Sequence, residues 1–356
     1  MDPVMKLVVQ SPDELIAAVP HVLGFKPEES IVLMPITKGL PCARVDLPTT
    51  ASDRDGVSRA LRGPYGQHAR PGAMVALVCV TEDRRSAELA SQHVAAGLAE
   101  VGVETKLRLW ANGQRWVELD TGASGYQSQQ AADRMAATTV LAGAVQPAAN
   151  RDSLAASLAG DHEPLAAVLP SARDAAENST PGGERDWALD RLEQFHADGR
   201  RLSDPEAARL LVAVKTTATR DALWEDMSRE NTSSHVALWT DLTRRAPDEV
   251  RAAPAALLGF SSWLNGDGAR AWCALDQVPA DQPYPLAAIV ASALQNGLHP
   301  REWERANAAM REIAGELDES YVPDRRLGRT DRHRGEAGMH GSPRPGDGLN
   351  RAAPGR

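Results

Sequence analysis

The stretch from Ser11 to Pro48 constrains the fold more than any other part of the chain, because it specifies four successive elements. Ser11 is a good helix N-cap, Pro12 suits the first helical position, and Glu14 completes a capping box. Gly24 ends that helix and opens a turn of the pattern LGF-x-P-x-x-S. Two apolar strands are expected after the turn, over Ile31–Met34 and Cys42–Leu47.

The chain continues to alternate between strand-like and helical segments up to about residue 170. Ala73–Val80 is a continuous apolar run, which is typical of a strand covered on both faces. Asn112-Gly113 is a strong turn signal, and it predicts a hairpin of Lys106–Ala111 and Arg115–Asp120. Helical periodicity is found near Asp53–Leu61, Ala87–Val101, Gln130–Ala142 and Asp152–Leu158. We expect an α/β domain over residues 5–170, with a mixed, partly parallel sheet and helices on both faces.

A polar stretch, residues 171–186, divides the two halves of the sequence. It contains Pro-Gly-Gly and almost no large apolar side chain, which predicts an inter-domain linker. Residues 187–318 predict an all-α domain with helices that begin near Pro205, Asp221, His235, Pro254, Ala269, Pro285 and Arg301. Residues 319–356 are expected to form a disordered basic tail, because its Gly, Pro, Arg and Ser cannot bury enough apolar area.

One pair of these helices resembles a tetratricopeptide repeat. Leu258-Gly259, Ala271, Leu275 and Pro283 fall at the spacing of that repeat's packing positions. The first helix departs from the pattern, since Ala255 and Ser262 stand where aromatic residues are usual. The sequence therefore predicts a single repeat-like hairpin. A repeat array is the less favoured alternative, because a stack needs roughly three such units.

Charge and hydropathy exclude several classes of protein. No apolar run approaches the length of a membrane span, and the start MDPVMKLVVQ lacks the features of a secretory signal. We therefore expect a cytoplasmic protein. The net charge is −9, and residues 321–356 carry eight Arg and four acidic residues, so the remainder carries −13. An acidic body disfavours binding of nucleic acid, except for weak contacts of the tail.

Neither the cysteines nor the histidines show the spacing of a metal or redox site. Cys42, Cys79 and Cys273 are far apart and odd in number, which is typical of reduced structural residues. The nine histidines form no H-x₃-H, H-E-x-x-H or Cys/His pattern. No metal ion and no cofactor are expected.

The opening segment resembles the bacterial "domain of unknown function 4192" family. The resemblance is carried by Ser11-Pro12, Leu15, Ala17-Ala18-Val19-Pro20, Leu23-Gly24-Phe25, Pro27, Ser30 and the strand ARVDLP at Ala43–Pro48. It extends over about residues 6–315. It implies an architecture and a cytoplasmic protein of GC-rich, Gram-positive bacteria, and it implies no activity. Members often carry cysteines after an aromatic strand, where this chain has TGASGYQS, so no metal or redox role is carried over.

The first candidate site is the pair Arg44 and Asp46. Alternate residues of a strand share a face, so the two side chains should emerge together while Ala43, Val45 and Leu47 face the other way. If helices cover that face, the pair lies in low dielectric, and such charge is often retained for function. Arg44 would then hold an anion, with Asp46 as acid, base or orienting group. The alternative, which we favour, is an internal ion pair or a strand end that reaches solvent.

The second candidate is the turn from Gly24 to Ser30. Lys26 and backbone amides could bind an anionic ligand there, with Phe25 as an apolar wall. The favoured alternative is a turn that only redirects the chain, with Phe25 in the core, and the adjacent Glu28 and Glu29 disfavour an anion site.

Three weaker candidates have structural interpretations that are favoured over functional ones. Ser124 lies in a small-residue loop that does not match G-x-S-x-G, so a nucleophile is not expected. Asp161-His162-Glu163 fits a solvated charge cluster better than a metal site. Six tryptophans are spaced for burial between helices, with a peptide groove as the alternative: Trp187, Trp224, Trp239, Trp263, Trp272 and Trp303.

Two functions from different classes are compatible with this sequence. The favoured hypothesis is a non-catalytic cytoplasmic interaction or regulatory protein, in which the helical half binds a protein partner. The alternative is a small-molecule sensor or enzyme that uses Arg44, Asp46, Lys26 and Phe25 of the α/β half. A third reading, in which the tail binds nucleic acid, is the least favoured.

Overall fold

The computed structural model describes residues 9–141 and 145–308, and the described residues up to Asn307 belong to one compact unit. The strands are β1 Ser30–Pro35, β2 Ala43–Asp46, β3 Met74–Val80, β4 Glu104–Ala111, β5 Arg115–Glu118 and β6 Ser124–Tyr126. Four helices accompany them: α1 Pro12–Leu23, α2 Ala51–His68, α3 Arg84–Ala99 and α4 Gln129–Leu141.

The rest of the described chain is helical. Its helices are α5 Arg151–Ala156, α6 Glu163–Glu177, α7 Pro181–Asp198, α8 Asp204–Ala213, α9 Thr217–Glu225, α10 Thr232–Arg245, α11 Asp248–Leu264, α12 Gly268–Leu275 and α13 Pro285–Gln295. Residues 301–308 are helical as well. The predicted tail, residues 319–356, lies outside the described residues.

The six strands form one mixed sheet in the order β2-β1-β3-β4-β5-β6. β3 and β4 are parallel, and every other neighbouring pair is antiparallel. The predicted partly parallel sheet is therefore confirmed, including the hairpin of β4 and β5. The segment around Ser124, predicted as a loop, is instead the edge strand β6, where Gly125 packs against Trp116 so closely that a Cβ would lie 2.8 Å from the indole.

The central strands β1 and β3 are buried on both faces, as the apolar run over Ala73–Val80 predicted. Ile31 and Leu77 face a core formed with α2 and α3, which contribute large side chains such as Tyr65 and Leu98. Val32, Met34, Ala76 and Val78 face the opposite core, to which α1 and the later helices contribute. Each fully buried Val, Leu or Ile contributes about 1.5–3 kcal/mol, so both layers of helices are needed to hold these strands.

The division into two domains joined by a linker is not confirmed. The predicted linker, residues 171–186, is mostly helical: α6 continues to Glu177, and α7 begins at Pro181. The Pro-Gly-Gly motif starts α7, because Thr180 is the N-cap and its hydroxyl accepts from the N–H of Gly183 at 3.0 Å. One core cluster contains Val78 of the sheet together with Leu165 of α6 and side chains of α7 to α13.

The termini of the helices follow their local signals. Ser11 caps α1 and accepts from the N–H of Glu14 at 3.2 Å, and Gly24 ends α1 with φ +75°. The capping box at Thr50 and Asp53 starts α2 earlier than predicted. α8 begins at Asp204, one residue before the predicted Pro205, and Ser203 is its N-cap.

α11 is the centre of the helical part and forms the predicted hairpin with α12. Its residues are buried almost without interruption from Val250 to Leu264. Gly259 allows a close approach, since a Cβ there would lie 2.9 Å from Cδ2 of Leu275. This is the small-against-large contact that the repeat-like spacing predicted.

The shared core predicts that the sheet and the helical part unfold together. Leu165 in α6 is fully buried in that core, so Leu165→Ala should lower the free energy of unfolding by about 2–5 kcal/mol. Scanning calorimetry should give one transition for the wild type and for the variant, with calorimetric and van't Hoff enthalpies that agree. Leu141→Ala is the control, because Leu141 is 89% exposed and its loss should change stability by about 0.5 kcal/mol or less. Two resolved transitions in the wild type would contradict a single unit.

Candidate functional site

A cleft of about 1290 Å³ lies along the outer edge of β2. One wall is formed by α2, and the opposite wall by the ends of α11 to α13 with the segment that follows α13. The turn after α1 and the start of α5 complete its lining. The cleft is therefore bounded both by the sheet layer and by the helical part.

All four residues singled out from the sequence line this cleft: Phe25, Lys26, Arg44 and Asp46. Phe25 is 3% exposed and belongs to the core, which agrees with its structural interpretation. The N–H of Lys26 donates to the carbonyl of Ala148 at 3.1 Å, while its side chain is exposed. The turn is fixed by backbone pairing, and Lys26 is left on the rim.

Arg44 and Asp46 form an ion pair with a distance of 2.5 Å between Nη1 and Oδ1. Arg44 also donates from Nε to the hydroxyl of Ser30 at 2.8 Å and from Nη2 to the carbonyl of Glu28 at 3.4 Å. The Asp46 side chain is 86% exposed and that of Arg44 23%. The low-dielectric setting that would favour a functional site is not found, because β2 is the edge strand and helices do not cover Asp46. The geometry agrees with the favoured alternative, an ion pair on a strand that reaches solvent.

The backbone of β2 presents a free edge to the cleft. The N–H of Leu47 donates to the carbonyl of Glu29 at 2.8 Å, and the register pairs Asp46 with Ser30. Since hydrogen-bonded and non-hydrogen-bonded pairs alternate in an antiparallel ladder, the N–H and C=O groups of Arg44 and Asp46 point away from β1. β2 ends the sheet, so no other strand of the described chain pairs with these groups.

Both walls of the cleft are apolar and held by hydrogen bonds. In the α2 wall, the Tyr65 hydroxyl donates to the carbonyl of Pro41 at 2.8 Å, beside Leu61. In the opposite wall, the Trp263 indole N–H donates to the carbonyl of Leu298 at 3.1 Å. The two walls meet near Pro41, which lies so close to Gly297 that a Cβ on the glycine would be 2.9 Å away.

A second polar cluster, which the sequence analysis missed, lies between α7, α9 and α10, and we call it the Ser234 cluster: His196, Asp226, Asn231, Ser234 and His235. Oδ2 of Asp226 is 2.9 Å from Nε2 of His235 and 3.2 Å from Nε2 of His196. Nδ1 of His196 is 2.6 Å from the hydroxyl of Ser234, and the Asn231 amide donates to Oδ2 of Asp226 at 3.0 Å. His196 and Ser234, which are in contact, are 38 positions apart in the sequence, so no local motif signals the cluster.

The ligand atoms of His196, Asp226 and His235 lie within 4.8 Å of one another, which is close enough for a shared metal ion. The hydrogen bonding of His235 does not fit that use. The buried Trp239 indole donates to its Nδ1 at 3.3 Å, and an indole N–H can only donate. The proton of neutral His235 is therefore on Nε2, directed at Asp226, and Nε2 has no free lone pair for a metal.

The same contacts explain how this cluster titrates. Burial lowers the pKa of His235, against the opposing effect of Asp226. The hydrogen bond from His235 lowers the pKa of Asp226, against the cost of its own burial. Neutral His235 beside ionised Asp226 is thus the stable state of the pair at neutral pH.

The weaker candidates have structural roles. Nε2 of His162 is 2.8 Å from Nη2 of Arg251, and the Asp161 carboxylate instead accepts from the N–H of Glu163 at 3.0 Å, so the three neighbours share no site. Trp239 and Trp263 are buried in the helical core. Trp263 and Trp272 also line the cleft.

The lowered pKa of His235 predicts a loss of stability in mild acid. Between the ordinary histidine pKa of 6.5 and the lower value in the fold, the unfolded chain binds the extra proton, so the free energy of unfolding falls as pH falls. His21 and His299, whose pKa values are also lowered by burial, add to this dependence. His235→Gln should make this pH dependence of the free energy of unfolding shallower below pH 6.5, by up to about 1.4 kcal/mol per pH unit. Urea unfolding at several pH values measures this, and an unchanged slope in the variant would contradict it.

Among the described residues, no helix has the length and apolar character that crossing a membrane requires. Searches among curated proteins and among solved structures found no significant match. The family described as Domain of unknown function (DUF4192) matches residues 12–301, which include the sheet, the cleft and the Ser234 cluster. The chain therefore belongs to the DUF4192 family.

Proposed function

We propose that this chain is a cytoplasmic peptide-binding protein, and that its cleft, without catalysing a reaction, adds one extended segment of a protein partner to the edge of β2. The observation that carries the proposal is the free edge itself. The backbone groups of Arg44 and Asp46 point into a cleft with apolar walls, and main-chain pairing at such an edge is a common mode of peptide recognition.

The two walls suit the alternation of side chains in an extended peptide. A strand paired with β2 places successive side chains on opposite faces. One set would contact Ala60 and Pro64 of α2, and the other set Trp272 and Leu294 of the helical wall, which line the cleft and are not fully buried. The cleft therefore favours a peptide with apolar residues at alternating positions on both faces, and main-chain bonds would supply affinity with little demand on sequence.

The size of the cleft and the state of Arg44 favour a peptide over a small anion. Its volume of about 1290 Å³ exceeds the range of about 300–1,000 Å³ that is usual for small-molecule sites. Arg44 already donates to Asp46, Ser30 and the carbonyl of Glu28, so its guanidinium is committed within the protein. Lys26 is an exposed cation on the rim, where it would contact an acidic side chain of the peptide.

The proposal predicts that binding depends on one outward-pointing amide of β2. Random-sequence peptides displayed on phage are selected on the purified full-length chain, and the Kd of synthetic binders is measured by fluorescence polarisation. Asp46→Pro removes an N–H that points away from β1, a substitution that edge strands tolerate. It should weaken binding by about tenfold, the effect of losing about one hydrogen bond.

The matched control is Asp46→Ala, which removes the same carboxylate and keeps the N–H. It should bind the selected peptides about as well as the wild type. Hydrogen exchange should show protection of the Arg44 and Asp46 amides when peptide is bound. Binders that protect other amides, or that bind the proline and alanine variants equally, would refute the β2 site. Binding abolished equally by Lys26→Ala and by small free anions would favour the small-molecule alternative.

A further inference from the structure

A hydroxyl, an imidazole and a carboxylate are aligned at the start of α10, and none of them lines the cleft. The Ser234 hydroxyl lies 2.6 Å from Nδ1 of His196, and Nε2 of His196 lies 3.2 Å from Oδ2 of Asp226. A hydroxyl that contacts a base, which in turn contacts an orienting acid, is the connectivity of an activated serine nucleophile.

The proton positions in this chain of contacts follow from its buried end. Asp226 accepts from Nε2–H of His235 and from the Asn231 amide, which favours its ionised form. An ionised carboxylate only accepts, so His196 carries a proton on Nε2 where it faces Asp226. Neutral His196 then presents the lone pair of Nδ1 to the hydroxyl of Ser234. That is the arrangement a general base requires.

The start of α10 supplies donors for a negatively charged intermediate. Ser234 is the third residue of the helix, and a side chain at that position lies beside the N-cap. Asn231 makes no side-chain cap, because its carbonyl oxygen accepts from the N–H of Ser228 at 2.8 Å. The N–H groups of Ser234 and His235 donate to the backbone carbonyl of Asn231 at 3.1 and 3.2 Å, so the donors for an oxyanion at this helix end are the N–H groups of Thr232 and Ser233, together with the positive end of the helix dipole.

The reacting groups are partly exposed to solvent, whereas the residues that hold them in place are buried in the core. The side chains of His196 and Asp226 are 21% and 40% exposed. His235 and Trp239, behind them, are fully buried. A small substrate can therefore reach Ser234 and His196, while His235 holds Asp226 in place from the buried side.

We propose that Ser234 is the nucleophile of an acyl-transfer site that takes small carboxylic esters, with His196 as general base and Asp226 as its orienting acid. Oγ of Ser234 attacks the ester carbonyl carbon and its proton passes to Nδ1 of His196. The C–O bond to the leaving alcohol breaks, and that proton moves from His196 to the departing oxygen. Water, activated by His196, then attacks the acyl-serine, releasing a carboxylic acid and restoring the Ser234 hydroxyl.

The test is covalent labelling of the intact chain with a fluorophosphonate, which reacts with activated serines, followed by peptide mass spectrometry. Label at Ser234 in the native protein, lost on heat denaturation, supports the proposal and requires no variant. His196→Gln should slow the labelling by about a hundredfold or more, the usual effect of losing a general base. It should slow release of p-nitrophenol from p-nitrophenyl acetate by a similar factor.

Ser86 is a matched control because it is also the third residue of a helix, and its hydroxyl lies 2.6 Å from the Asp83 carboxylate with no histidine between them. Ser86 should stay unlabelled, and Ser86→Ala should leave the labelling of Ser234 unchanged. Absence of label at Ser234 in the native wild type would overturn the proposal. Labelling that persists at the same rate in folded His196→Gln would also overturn it.

Discussion

The structure depends on the burial of β1 and β3 from both sides. Their residues are apolar almost without a break, and alternate side chains enter two separate cores. One core is closed by α2 and α3, but the other needs α1 together with the helices that follow the sheet in sequence. If the second face of these strands were exposed, its apolar side chains would remain in water, at a free-energy cost of about 25 cal/mol per Å² of apolar surface. The helical part is therefore a required layer of the sheet.

The cleft is a consequence of this layering at the end of the sheet. α2 on one side and α11 to α13 on the other extend past β2, which is the last strand. Where the sheet stops, the two covering layers face each other across its free edge. The polar pair of Arg44 and Asp46 is tolerated there because Asp46 reaches solvent, whereas a central strand would leave the same charges in low dielectric.

Local signals in the sequence were sufficient for most individual elements. Ser11 and Gly24 bound α1, the run over Ala73–Val80 gave a doubly buried strand, and Gly259 marked a close helix contact, because each depends on neighbours within a few residues. The stretch over residues 171–186, which was predicted to be a linker, is mostly helical, and there is a physical reason for the difference. Its few apolar side chains, such as Ala172, are small, and the larger ones that anchor α6 precede it at Leu165 and Leu169.

To predict the two sites would have required information that local sequence patterns do not contain. The face shared by Arg44 and Asp46 follows from strand periodicity, but their exposure depends on the order of strands, which is set by long-range pairing. The Ser234 cluster joins the end of α7, the end of α9 and the start of α10. Its residues are neighbours only after those helices pack, so the search for short histidine motifs could not find it.

The position of β2 inside the cleft also affects whether copies of this chain can pair through their sheet edges. An open strand edge is a general risk for aggregation, and natural proteins protect it with short strands, charges or covering elements. β2 has four residues, two of them charged, and it lies between two helical walls. The short strand, its two charges and the covering helices are the devices by which natural proteins keep a sheet from growing at its edge.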